Sequence, residues 1–440
     1  MSKRMVWKHA VVVTLALSSL LIAQQPRPAT GPKTEDKKTI TSAEVEKLTG
    51  EVIKQVSEIR GLKLITPVKS GAQSRSQIEQ MVLKNFEEEY TPAELDAEFK
   101  TLVAFGLVPK DFKYKEFLVK LLTEQIAGFY DPKKKELYLS DWNGLELQKP
   151  VMAHELTHAL QDQHFDLQRF DKWPEGDGDR EMAIHALIEG DATALMIDYL
   201  MKPLGQSVTK IPKKLLDQMN SESNAPGMEV INAAPNAIRE SLTFPYGYGL
   251  GFAYDLLKAQ DWDGVSKAYT NLPQSTEQIL HPEKYLANEL PQKIELADVT
   301  ALLGKGWKRI NFDVNGEFGH YLLLAEYLDK TVARKAVEGW GGDQFAVYEN
   351  AAKTRTTLVH LSRWDTANDA AKFFDAYVAR TGKRWPKAKL NKTAKQFVYV
   401  TPTGETLLEL RGEAVLAVEG VAVGSARKLA AKLWESKGGK

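Results

Sequence analysis

The sequence predicts an α+β protein: a mostly helical domain with a small sheet over residues 41–338, then a small α+β domain over 339–440. Three observations lead there. Apolar residues recur at helical spacing through much of residues 41–125 and again from Asp179 to Met201. A short strand–turn–strand pattern interrupts them at 128–139. After Gly339-Trp340-Gly341-Gly342 the pattern changes to strands separated by turns, with helices between them.

The elements follow in order. Lys3, Arg4 and Lys8 precede an apolar stretch, Ala10 to Ala23, and residues 1–23 read as an export signal. The stretch is shorter than the about 20 residues of a membrane span. Leu21 sits poorly for cleavage after Ala23, so an uncleaved anchor is the alternative. Residues 24–40 are rich in Pro, Lys, Thr and Gln and read as a disordered linker. The first domain divides into a helical part, 41–125, and a core, 126–338. Thr41-Ser42-Ala43-Glu44 caps a helix carrying Val45, Leu48, Val52, Val56 and Ile59. Leu62 to Val68 reads as a strand, and Ile78–Tyr90, Pro92–Phe105 and Tyr114–Ile126 as helices walling a cleft. Gly128 to Leu139 reads as two strands joined by an Asp131-Pro132 turn. Pro150 is expected at the start of the next helix, where its missing N–H costs little. Polar residues 206–240 suit a rim of the active site, and Ser275 to Gln278 a helix cap before Pro282. In the last domain, 345–348, 356–361, segments around 401–404, and 414–418 read as strands, with helices at 366–381 and 425–436. His360 stands alone on its strand and is expected in the core or at an edge.

The chemistry concentrates in His154-Glu155-Leu156-Thr157-His158, an H-E-x-x-H within the apolar run Val151 to Leu160. On a helix, positions i and i+4 lie one above the other, so both imidazoles can reach one metal ion. Catalytic zinc takes three protein ligands and leaves one position open for water. Glu155 is placed to take a proton from such a water, as general base. Two residues compete for the third ligand. Glu189 lies on the apolar helix 179–201, where a buried carboxylate needs a counter-charge or a metal. His164 has the spacing H-E-x-x-H-x-x-G-x-x-H, but Gln161 stands where that pattern needs a glycine for the turn. Glu189 is therefore preferred. His185 shares the face of Glu189 and reads as a core residue, and Asp191 could accept a hydrogen bond from a ligand histidine.

These residues resemble the gluzincin-type, peptidase-MA-like zinc metallopeptidases, in which a Glu in an E-x-x-A or E-x-x-D setting follows H-E-x-x-H on a second helix. Glu189-Gly190-Asp191-Ala192 matches that setting. The stretch Pro245-Tyr246 before a glycine-containing helix matches a third segment. The resemblance implies a zincin-like fold, one catalytic zinc on His154, His158 and Glu189, and Tyr246 as donor to the oxyanion, with Tyr248 as substitute. His281 is an alternative proton donor. Gly227-Met228-Glu229 follows the motif instead of preceding it, so an aminopeptidase is not supported.

Composition narrows the classes. Lys+Arg and Asp+Glu both total 58, so no basic excess points to nucleic acid. With no Cys there is no disulfide, thiol nucleophile, Cys-ligated metal or lipoprotein anchor. The expected function is an exported zinc metallopeptidase, periplasmic or extracellular in a bacterium, acting on a peptide or protein. It meets a membrane only if the leader stays uncleaved. The alternative is a non-catalytic zincin-fold protein for binding or envelope assembly, able to retain the metal.

Overall fold

The computed structural model describes residues 40–124, 128–171, 176–216 and 229–438. The expected leader and nearly all of the linker lie outside these residues. The chain is a mixed α+β fold.

Helix α1 (Ser42–Arg60) opens with a capping box: Thr41 Oγ1 accepts from Glu44 N while Glu44 reaches back to Thr41 N. It ends at Gly61, whose φ of +72° is open to glycine at no steric cost. The strand expected at 62–68 does not form. The N–H groups of Ile65 and Thr66 donate to the Gln163 side chain instead of to a ladder, and Ile65 is exposed. The strand is β1 (Lys69–Gln73). It pairs parallel with β3 (Glu136–Ser140), which pairs antiparallel with β2 (Gly128–Asp131). The expected hairpin is therefore present, completed into a three-stranded sheet.

Helices α2 (Arg75–Glu89), α3 (Pro92–Phe105) and α4 (Tyr114–Glu124) close near their expected limits. The motif helix α5 (Leu145–Phe165) begins before Pro150, not at it. Pro150 thus lies inside the helix and leaves the Glu146 carbonyl without its i+4 donor. Helix α6 (Gly178–Met201) is buried on all sides for most of its length. Helix α7 (Asn236–Ala268) runs straight through the Pro- and Gly-rich stretch that reads as a loop-to-helix boundary. It breaks only at Gln260 and Asp261, where φ turns to +56°. Part of the polar segment expected as a rim, residues 236–240, belongs to this helix, and residues 217–228 are outside the described ones.

Two short helices, α8 (Thr276–Leu280) and α9 (Pro282–Leu286), lead to β4 (Ile294–Glu295) and β5 (Lys308–Asp313). Helices α10 (Gly316–Ala325) and α11 (Lys330–Val337) follow. Then come β6 (Trp340–Glu349), β7 (Thr356–Trp364), α12 (Ala367–Arg384), β8 (Lys389–Lys392), β9 (Gln396–Thr401), β10 (Gly404–Arg411), β11 (Ala414–Val421), α13 (Ala426–Leu433) and β12 (Lys437–Gly438). Strands β5 to β11 form one seven-stranded antiparallel sheet in the order β5-β6-β7-β11-β10-β9-β8. The sheet reaches back to Lys308, so it crosses the boundary placed at 338/339 by the change in pattern. Strand β12 pairs with β4, which ties the end of the chain to the segment ahead of the sheet.

The two halves are joined through side chains. Arg380 and Arg384 of α12 donate to the last carbonyls of α3, at Phe105, Ala104 and Val103, and both pair with Glu419. Val103 O also accepts from the capping Gly106 N–H, and the two guanidinium groups supply further donors to this helix end. Lys100 of α3 adds a bond to Glu349 of β6.

Candidate metal centre

His154, His158 and Glu189 come together in the buried space between α5 and α6. Each offers one ligand atom within 4.8 Å of the others. His154 Nε2 lies 3.1 Å from Glu189 Oε2, and His158 Nε2 lies 3.7 Å from Glu189 Oε1. Ligand atoms about 2.0–2.1 Å from a tetrahedral zinc ion stand about 3.4 Å apart. The two observed separations lie on either side of that value.

The tautomer of His158 follows from its neighbours. The Gln161 amide donates from Nε2 to Ile188 O at 3.1 Å and to Asp191 Oδ2 at 2.9 Å, which turns Oε1 toward His158 Nδ1 at 2.8 Å. An amide oxygen only accepts, so Nδ1 carries a proton and Nε2 is the nitrogen left to face a metal. That buried Nε2 has no hydrogen-bond partner, nor has His154 Nδ1. Two imidazoles and a carboxylate with an unsatisfied buried nitrogen fit a zinc ion. Without an ion, Glu189 and the two histidines supply one another's counter-charge, and a metal would displace the His158 Nε2 proton. Burial alone would raise the Glu189 pKa, but His158 and His154 outweigh it and hold it near about 2. Burial would lower the His158 pKa, but the Glu189 charge overrides it and lifts it to about 9.

Asp191 does not touch a ligand histidine. It acts through Gln161 and is the hub behind the site. Arg60 donates to it from Nε at 2.7 Å and Nη2 at 3.1 Å, and the Tyr269 hydroxyl donates at 2.9 Å. Arg60 and Asp191 are both fully buried. Arg60 ends α1, far from the motif in sequence, and only the fold brings it here.

Glu155 is buried beside the triad, and its Oε2 accepts the Tyr130 N–H of β2 at 2.9 Å. The hairpin thus fixes the carboxylate next to the first histidine. The Tyr130 hydroxyl donates to Asp162, whose other oxygen accepts from Leu167 N beyond the helix end. Tyr246 projects from α7 to the same place. Its ring stacks on His154 at 6.2 Å between centroids, and its hydroxyl hydrogen-bonds Glu189. Burial and the charges of Glu189 and Glu155 push the phenol pKa well up, so it remains a proton donor.

The other candidates lie elsewhere. His164 is exposed and donates to Lys63 O at 2.7 Å. The helix continues one residue past it, so it never turns back toward the triad. Tyr248 points to Arg334 and packs on Phe244 and Phe318. His281 pairs with Glu317 at 2.9 Å. His185 is buried near Glu189, and burial lowers its pKa to about 4 against a smaller opposing effect of Glu189, which keeps it neutral.

Residues the sequence analysis did not single out are Arg60, Tyr130, Gln161 and Tyr269. Only Gln161 carried a local signal: it lies one turn from His158, at the position where a turn glycine was sought.

Two further groups could gather ligands among the described residues. His320, Asp343 and His360 meet in the core of the last domain, so His360 is not alone. Asp343 accepts from Asn315 N, Gly316 N, Trp340 Nε1 and His360 Nε2, which occupies its oxygens. The cluster pins the start of α10 to β6 and β7. Glu277, Glu289 and Asp365 surround the Lys284 ammonium, which already fills their centre.

A sequence-family profile described as a domain of unknown function, DUF8575, matches residues 305–430. That span holds the whole seven-stranded sheet and lies wholly after the triad. Comparison with curated proteins and with solved structures returns no match.

Proposed function

We propose that this chain is an exported zinc-dependent peptidase. The single observation that carries the reading is the buried His154–His158–Glu189 triad with the Glu155 carboxylate and the Tyr246 hydroxyl beside it. A zinc ion held by the triad would supply Lewis acidity and acidify a water at neutral pH. Glu155, anchored by the Tyr130 N–H, takes the proton from the attacking water and hands it to the leaving amine. The Tyr246 hydroxyl donates to the oxygen on which charge builds in the transition state. Gln161 and Asp191 keep His158 in one tautomer while Arg60 balances the Asp191 charge. No helix among the described residues is long and apolar enough to cross a membrane. Export rests on residues 1–23, and the mass of the protein from its native source tests their removal.

The experiment is metal analysis of the purified protein together with a peptide-library cleavage assay, on wild type and on Glu155→Gln. One zinc per chain in both, with turnover falling about 10²–10⁴-fold in the variant, is the expected result. Turnover unchanged in Glu155→Gln would refute the mechanism. One zinc with no cleavage of any peptide would favour a binding role instead.

A further inference from the structure

Residues 376–404 hold seven basic side chains and no acidic one, in a chain whose formal charges cancel. The fold sorts the seven. Arg380 and Arg384 turn inward to Glu419 and the end of α3. Lys383, Lys387, Lys389, Lys392 and Lys395 stay exposed, and none of them forms an ion pair among the described residues. Lys383 lies in the last turn of α12, Lys389 and Lys392 on β8, and Lys395 in the turn to β9. Arg427 of α13 extends the group, its Nε donating to Gln396 Oε1 at 3.0 Å.

Strand β8 is the outer strand of the seven-stranded sheet, and all of its residues are exposed. Lysines on such a strand deter another strand from pairing with it. That accounts for Lys389 and Lys392. It does not account for Lys383, Lys387 and Lys395, which lie off the strand, nor for the apolar side chains among them. Leu390 is 44% exposed, Val400 39% and Val423 67%. Val400 lies across the ladder from Lys389 on one side and from Glu405 on the other. Glu405 in turn accepts the N–H of Gly424, which follows Val423. Successive residues of a strand face opposite sides, so Leu390 stands on the side of the sheet away from Lys389 and Val400. Aliphatic side chains thus flank the strand edge on both sides, with ammonium groups around them.

This combination selects among anionic partners. Nucleic acid is gripped by arginine forks and by aromatic rings that stack on bases. Here the two arginines of the stretch face inward, and the exposed apolar groups are aliphatic. Lysines are flexible point charges that suit a diffuse layer of phosphates, and each one near an anionic bilayer strengthens binding by about fivefold. Aliphatic side chains beside them gain by entering the boundary between headgroups and acyl chains.

We propose that the β8–β9 edge docks on an anionic phospholipid surface. The five lysines meet the phosphates, and Leu390, Val400 and Val423 enter the outer hydrocarbon. This surface lies beyond the peptidase reading and does not depend on it.

The test is sedimentation of the full chain with vesicles of phosphatidylcholine, alone or with about a third phosphatidylglycerol. Binding to the anionic vesicles should be at least about tenfold tighter than to the neutral ones, and should weaken as salt screens the charges. Lys389→Glu with Lys392→Glu should weaken it at least about tenfold. Leu390→Ser with Val423→Ser should weaken it at least about threefold. Lys110→Glu with Lys258→Glu changes the net charge equally at exposed positions elsewhere and should leave it unchanged. Residues 1–23 are common to all these proteins, so the differences report the edge. Circular dichroism checks that each variant is folded. Equal binding to both kinds of vesicle, or binding unchanged in either variant of the edge, overturns the inference. So does tighter binding of duplex DNA or polyglutamate than of the anionic vesicles, which would assign the lysines to another polyanion. Cleavage of a soluble peptide should be the same in the edge variants and in wild type, so failure of the lipid assignment leaves the peptidase reading standing.

Discussion

Gly190 and Gly249 meet backbone to backbone where α6 crosses α7. A Cβ on Gly190 would stand 2.0 Å from Gly249 O, and one on Gly249 would stand 2.1 Å from Ala186 O. Glu189 adjoins the first glycine, and Tyr246 lies one turn before the second. The crossing therefore sets the phenol against the carboxylate. Helix propensity alone favours Gly→Ala by about 0.5–1 kcal/mol. Here a methyl group would press on rigid backbone, and that term wins. Gly190→Ala and Gly249→Ala should each destabilise the fold by about 3 kcal/mol or more, read by urea unfolding. A gain in stability would contradict the crossing.

Removing Arg60 should be severe. Arg60→Met leaves the Asp191 carboxylate buried without its cation, and stability should fall by about 3–5 kcal/mol. Gln161→Ala separates fold from metal. It frees the His158 ring and should weaken zinc binding about 10–100-fold, while the unfolding midpoint of the metal-free protein moves far less than in Arg60→Met. Equilibrium zinc competition against a chelating dye measures the first effect.

Zinc should also stabilise the fold. At about 100 times its dissociation constant, a ligand that binds only the native state adds about 2.7 kcal/mol. Zinc should therefore raise the melting temperature of wild type and of His164→Ala, and chelator should reverse it. In Glu189→Ala the shift should vanish. A zinc shift lost in His164→Ala would move the site toward the exposed histidine.

Tyr246→Phe removes one hydroxyl and keeps the ring on His154. The kcat of peptide cleavage should fall about 10²–10³-fold with zinc content unchanged. Tyr248→Phe, whose hydroxyl meets Arg334, should leave kcat near the wild-type value.

Acid should act on the last domain through His320. Burial lowers its pKa to about 4, helped by His360 and opposed by Asp343. Between that value and about 6.5 the unfolded chain binds the extra proton and the folded one does not. Stability linked to this group is thus complete above pH 6.5 and is lost as pH falls toward 4, by up to about 3 kcal/mol. His320→Gln cannot take up the proton, so its urea midpoint should vary less over that range than the wild type's. An equal slope in both proteins would exclude His320 as the source.

What the sequence determined was local. The spacing of His154 and His158 along one helical face, the hairpin at 128–139 and the limits of α3 follow from short-range geometry, caps and periodicity, which act within a few residues. Glu189 was legible as a ligand candidate because a carboxylate on an apolar helix needs a partner. Local rules failed where a distant group replaced the expected partner. Gln163 took the N–H groups of the segment at 62–68, and α7 continued through Pro245 and three glycines because α6 covers it there. Only the tertiary structure could set His164 outside the site, place Gln161 against His158, and join Arg60 to Asp191 across 131 residues of chain. Ion pairs and buried hydrogen bonds act through space over a few ångströms, and their sequence separation leaves no trace in the pattern on either side.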